Sequence, residues 1–140
     1  MRLDLLLALF LSLPCAAEDH SPAPRLLGTH ALSLQWIGRK DSGQVKIALD
    51  GKKTRLQGEQ KGRKNADYLR IDGEVARVVS PQEFVFRGRI EYSVSYIQGG
   101  RPCVRDGEYF FKSTKGRRYW RLQSMENNCE GVTDYIDIYF

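Results

Sequence analysis

Histidine, cysteine and long apolar stretches are scarce in this chain. Its 140 residues hold two histidines, three cysteines and two methionines. With His20 and His30 as the whole histidine supply, no His-x-x-x-His pair exists and no ligand set for a metal is visible. Neither a Gly-x-Ser-x-Gly elbow nor a phosphate-cradling P-loop occurs. No window of eleven residues carries a helical stripe, and no internal repeat is visible. The longest apolar run, Leu5–Leu13, is too short to cross a hydrocarbon core of about 30 Å. These gaps argue against a metalloenzyme, a nucleotide-driven enzyme, a coiled coil and a helical membrane protein. No cofactor is expected.

What is present begins with that apolar run. Arg2 precedes it, and Pro14-Cys15-Ala16-Ala17 follows it. A basic start, an apolar core and a small-residue exit describe a secretory signal peptide over residues 1–17, cut after Ala17. A lipidated Cys15 is the rival reading, although Pro14 and Ser12 stand where such processing favours a small residue and leucine. The expected location is exported, either periplasmic or secreted. Residues 18–25 open with Glu18-Asp19-His20-Ser21-Pro22 and read as a disordered lead-in. Residues 26–140 are enough for one small domain.

From Leu26 onward the hydrophobic period is two. Leu32, Leu34 and Trp36 alternate with Ser33 and Gln35, and Val45, Ile47 and Leu49 with Lys46 and Ala48. Asp50-Gly51 then offers a tight turn into a weak strand over Lys53–Gln60. Leu69, Ile71, Gly73 and Val75 form another alternating set, and Ser80-Pro81 the next turn. The clearest run is Phe84, Phe86, Gly88, Ile90, Tyr92 and Val94, with Gly88 placed for a bend. Glu108–Lys112 and Arg118–Gln123 flank Lys115-Gly116 as a hairpin, and Asp134–Phe140 supplies a closing strand. This predicts an all-β fold: an antiparallel meander of about eight strands closed as a small barrel, with a β-sandwich as the alternative. The expected core includes Leu34, Trp36, Ile47, Ile71, Phe86, Ile90, Phe110, Trp120 and Ile138.

Removal of the leader leaves two cysteines. In an oxidising compartment Cys103 and Cys129 are expected to pair, clamping the open end of the Lys115 hairpin.

The opening Leu27-Gly28-Thr29-His30-Ala31-Leu32 resembles the first strand of lipocalin-like and avidin-like barrels, which place Gly-x-Trp there. Here His30 holds the tryptophan position. The stretch from Tyr119-Trp120-Arg121-Leu122-Gln123 through Cys129 to Asp134–Phe140 is similar to small exported bacterial proteins of unassigned function. Neither resemblance brings functional residues with it.

Two function classes follow. In the first, the chain is a non-catalytic module holding a small apolar or amphipathic ligand, with Trp36, Tyr92, Tyr109 and Trp120 as lining residues. Aromatic residues crowd the C-terminal half, and an eight-stranded barrel has use for them either as lining or as filling. In the second class, the chain is a structural or interaction protein of the envelope. Between Arg39 and Lys64 nine basic residues face three acidic ones, with Arg39, Lys40, Lys52, Lys53, Arg55, Lys61, Arg63 and Lys64 prominent. Such a patch would meet an anionic envelope polymer; it would equally serve as a solvated strand face. No aromatic platform interrupts it, so nucleic acid is not an expected partner. The polar strand Lys53–Gln60 has no lipid-facing side, which argues against a membrane-spanning barrel. His30 reads as a half-buried strand residue rather than a base, since no triad partner lies near it in sequence.

Overall fold

A computed structural model describes residues 25–140. The leader over 1–17, the lipidation question at Cys15 and nearly all of the lead-in lie outside the described residues. Eight strands follow in chain order: β1 Gly28–Leu34, β2 Gly43–Asp50, β3 Lys53–Lys61, β4 Tyr68–Ser80, β5 Glu83–Ser93, β6 Cys103–Lys112, β7 Tyr119–Leu122 and β8 Ile136–Tyr139. Each pairs antiparallel with the next, and β8 returns to β1 through Leu32↔Ile138 and Leu34↔Ile136, closing a barrel. Helix is confined to a 3-10 turn at Gln98–Gly100. The meander expected from the period of two is the observed architecture, as a barrel rather than a sandwich.

The inward positions form one core. Leu32, Leu34, Val45, Ile47, Leu56, Leu69, Ile71, Phe86, Ile90, Phe111, Trp120, Leu122, Ile136 and Ile138 are all buried and share one cluster. The barrel axis is crowded with rings. Phe84 stacks on Phe111 at 5.3 Å between centroids and meets Trp120 edge-on at 5.5 Å, while Phe86 meets Phe111 at 6.2 Å. Side chains therefore fill the interior along these strands, as eight strands permit.

Two of the expected core residues lie elsewhere. Phe110 is 42% exposed, because Phe111 takes the inward phase of β6 and only one of two adjacent residues can face in. Phe110 lies instead opposite Val85 on the outer face. Trp36 is half-buried in the loop after β1. The strand ends at Leu34, whose carbonyl accepts from the amides of Ile37 and Gly38 and turns the chain away.

The middle of the sheet bends through a row of glycines. Gly73 pairs with Gly88, and Gly88 with Gly107. A Cβ at Gly88 would lie 2.3 Å from the Asp72 carbonyl oxygen and 2.8 Å from the Phe86 ring, at a φ of +157°. Only glycine lets β4 and β5 coil this tightly over Phe86.

Outside, β3 to β6 carry an alternating lattice of charge. One row across the strands reads Arg55, Glu74, Arg87, Glu108; the next reads Asp72, Arg89, Asp106; a third Glu59, Arg70, Glu91. Opposite charges sit across each strand pair, which fixes register and sends this wall to water rather than to lipid. No helix among the described residues is long and apolar enough to cross a membrane.

Candidate functional site

The two ends of the barrel differ chemically. At one end the connections 35–42, 62–67, 94–102 and 123–135 meet over the core; at the other stand the turns 51–52, 81–82 and 113–118, none longer than six residues.

The long-loop end is locked by a buried polar cluster. Asp134 is fully buried and accepts from four side chains. Trp36 Nε1 donates to Oδ1 at 3.0 Å, the Tyr92 hydroxyl to Oδ1 at 3.0 Å, Arg105 Nη2 to Oδ2 at 2.7 Å, and Asn127 Nδ2 reaches both oxygens at 3.2 Å. Asn127 Oδ1 in turn accepts from the amides of Cys129, Glu130 and Gly131. Arg105 also donates to the carbonyls of Ser124 and Met125. Gln60, fully buried, accepts from the Leu34 amide at 2.7 Å and donates to the carbonyls of Gly38 and Asp41. Burial first, then the Asp134 charge, pushes the Tyr92 hydroxyl far above its ordinary range, so it stays a neutral donor. A carboxylate engaged by four donors is an anchor for loops. The cross-link stands beside it: Cys103 and Cys129 are joined, with Cα atoms 6.0 Å apart. The pairing expected from the sequence is present.

The short-turn end holds an open cup of about 720 Å³, lined by Arg25, Thr29, His30, Ala31, Gln82, Ser113, Lys115, Gly116, Arg117, Arg118, Tyr139 and Phe140. Four cationic side chains line it and no acidic one. Its floor is aromatic. Phe140 packs on Trp120 at 4.2 Å, and the Arg25 guanidinium lies 4.6 Å above the Phe140 ring. His30 stands at the side, edge-on to Trp120 at 5.6 Å. Its Nδ1 lies 2.9 Å from the Tyr139 carbonyl oxygen and Nε2 2.8 Å from that of Leu26, so the ring ties the start of β1 to β8. Turn residues supply the cations: Lys115 and Gly116 adopt positive φ and project the β6–β7 connection over the mouth. A second concavity, of about 560 Å³, lies on the outer wall over Gly58. Its charges are mixed, with Arg70 beside Glu59.

The four aromatic residues singled out from sequence surround no common space. Trp36 and Tyr92 belong to the Asp134 lock, and Trp120 lies beneath the cup. Tyr109 is half-buried in the β6 wall, folded back over Gly107. Burial, opposed by the Arg105 charge, raises the Tyr109 hydroxyl above its ordinary range. The Arg39–Lys64 segment is likewise divided. Arg39, Lys40, Lys61, Arg63 and Lys64 stand at the long-loop end and Lys52 and Lys53 at the short-turn end, separated by the length of β3. Arg55 is paired with Asp72 at 2.8 Å, and Arg63 with Asp41 at 2.8 Å. Sequence reasoning missed the cup because Arg25 lies far along the chain from Arg117 and Arg118. The doublet Arg117-Arg118 beside a turn glycine was the one visible signal. Among the described residues no group of three or more His, Cys, Asp or Glu is placed to hold a metal.

A family model, that of the PM1083 family, matches residues 14–140. The chain is 37% identical over 116 residues to the uncharacterized protein PM1083 of Pasteurella multocida (strain Pm70), covering 83% of this chain and 74% of that protein. No solved structure matches the chain. None of these matches shows the expected likeness to lipocalin-like and avidin-like barrels.

Proposed function

We propose that this chain, which belongs to the PM1083 family, is an exported, non-catalytic binding module that holds a small amphipathic anion in the cup at the short-turn end of its barrel. One observation carries the reading: four cations and no acidic side chain surround a recess of about 720 Å³ whose floor is Phe140 on Trp120. Like charges gathered there favour an anion, although Arg118 Nε already donates to the Phe140 carbonyl oxygen and Arg25 Nη2 to that of Pro81, each at 3.4 Å. The floor would take the apolar part of the ligand, and Arg25, Arg117 and Arg118 its anionic head, with guanidinium forks suited to carboxylate or phosphate. The Asp134 lock and the ring-filled core leave the ligand at the mouth rather than along the axis. A Cys103–Cys129 cross-link accords with an oxidising compartment. The division of the Arg39–Lys64 segment between the two ends weakens the rival reading of one extended basic face.

The test is calorimetric titration with dodecyl phosphate, laurate and dodecanol, alongside tryptophan fluorescence to report on Trp120. Both anions should bind and change the emission, while dodecanol should bind at least tenfold more weakly. Arg117→Glu with Arg118→Glu should remove that preference. Equal binding of dodecanol, or anion binding indifferent to the double reversal, would sink the proposal.

A further inference from the structure

β6 is covered along one edge and largely bare along the other. Toward β5 its whole length is paired, from Cys103↔Tyr92 to Lys112↔Glu83. Toward β7 only Phe111↔Leu122 and Lys112↔Arg121 pair, extended by the Gln123 amide donating to the Phe110 carbonyl. That last bond fixes the phase. If the Phe110 carbonyl points toward β7, the amides and carbonyls of Glu108, Asp106 and Val104 point the same way, two residues apart each time. Among the described residues no backbone group meets them there. The chain after Gln123 turns aside to pair Glu126 with Thr133, and the Arg105 side chain bridges to Ser124 and Met125 instead. Val104, Asp106, Gly107 and Glu108 are all exposed.

We infer that the bare edge Val104–Glu108 of β6 is a strand-addition site for an extended partner segment bearing basic residues at alternate positions. Backbone groups left unpaired on an exposed edge recognise another strand by its main chain, and the side chains select which one. Here the outward side chains are Val104, Asp106 and Glu108. The two acids are flanked on the β5 side by Arg89 and Arg87, of which Arg87 donates to Glu108 Oε1, so that on the bare side their remaining oxygens face a partner. The adjoining loop Ser124–Gly131 adds Glu126 and Glu130 with no cation. Charge decides between occupants. A second copy of this chain, paired antiparallel about Gly107, would set Asp106 against the acid at Glu108 of its mate, and like charges directly opposed destabilise a sheet. Lysine or arginine in those two places reverses the sign, with an apolar residue opposite Val104. The acids thus guard the edge against self-association and admit a basic strand.

The probe is the acetylated peptide Thr-Lys-Thr-Lys-Thr-Val-Thr-amide, added to the full chain and followed by amide exchange. Val104, Asp106 and Glu108 should exchange rapidly in the free protein and at least tenfold more slowly with saturating peptide. Arg105 and Gly107, bonded to β5, should not change. Methylating the two lysine amide nitrogens, or replacing both lysines by glutamate, should abolish the protection. Asp106→Lys with Glu108→Lys should weaken binding at least tenfold while leaving binding of dodecyl phosphate at the distant cup unaltered. The inference is overturned by any of three results: an edge already protected in the free chain, no alternate-amide protection with peptide, or equal binding of the glutamate peptide.

Discussion

Asp134 shows how one residue can organise an end of a barrel. Its donors come from the β1–β2 loop, β5, β6 and the last long loop. Removing the carboxylate would strand the Arg105 charge, which is already without a partner at Nε. Asp134→Ala should therefore cost roughly 3–5 kcal/mol in urea unfolding, with loops rather than strands loosened first. Tyr92 gives a pH signature. Its hydroxyl titrates well above the ordinary tyrosine range, so the folded state holds that proton after the unfolded chain has lost it. Stability is then complete below the unfolded value near pH 10 and falls as pH rises beyond it. Tyr92→Phe should flatten the alkaline limb of a stability–pH curve while costing roughly 1–2 kcal/mol at neutrality from the lost hydrogen bonds. An unchanged limb would show that Tyr92 is not the group responsible. None of this cluster is legible in the sequence. Asp134 lies 98 residues from Trp36 and 42 from Tyr92, and no local pattern links them. The cysteine pair was legible because elimination left two.

At the scale of elements, the period of two located the strands wherever inward positions are apolar, and it failed where they are not. The first half of β6 points only Cys103 and Arg105 into the interior and leaves Gly107 exposed, so no hydrophobic alternation announces it. The second half of β4 is masked by register shifts between Val75 and Arg77 and between Val78 and Ser80, which reset the phase of alternation. Gly88 was readable as a bend, and its geometry makes the cost of filling it predictable. Gly88→Ala places a methyl against the Asp72 carbonyl at a positive φ, and should destabilise by about 3 kcal/mol. Gly51→Ala is the useful contrast: φ is also positive there, but a Cβ meets nothing within 4 Å. Its loss should be nearer 1 kcal/mol. Equal losses in thermal unfolding would mean that backbone conformation alone, and not the close approach of β4 to β5, requires glycine at position 88.

For the molecule as a whole, the barrel separates two chemically different ends. Long loops tied by Asp134 and the Cys103–Cys129 bridge stabilise one end; short turns carrying Arg117 and Arg118 present the cup at the other. The strands between them are stiffened by the charge lattice outside and the stacked rings inside. A strand of nine residues, as β3 is, spans about 30 Å, beyond the range at which perturbations usually couple. Reduction of the bridge, which closes a separation of 26 residues, should cost about 3.5 kcal/mol in the chain-entropy account. A ligand at a hundredfold its Kd adds about 2.7 kcal/mol. If dodecyl phosphate sits in the cup, these effects are independent. The ligand-induced rise in stability should then match in oxidised and reduced protein, to within about 0.5 kcal/mol, when thermal unfolding is followed with and without the ligand. A rise that disappears on reduction would relocate the ligand to the long-loop end, among Trp36, Tyr92 and the loop that Cys129 anchors. A rise that survives reduction but vanishes with Arg117→Glu and Arg118→Glu would assign it to the cup, because only there do those two side chains meet an aromatic floor.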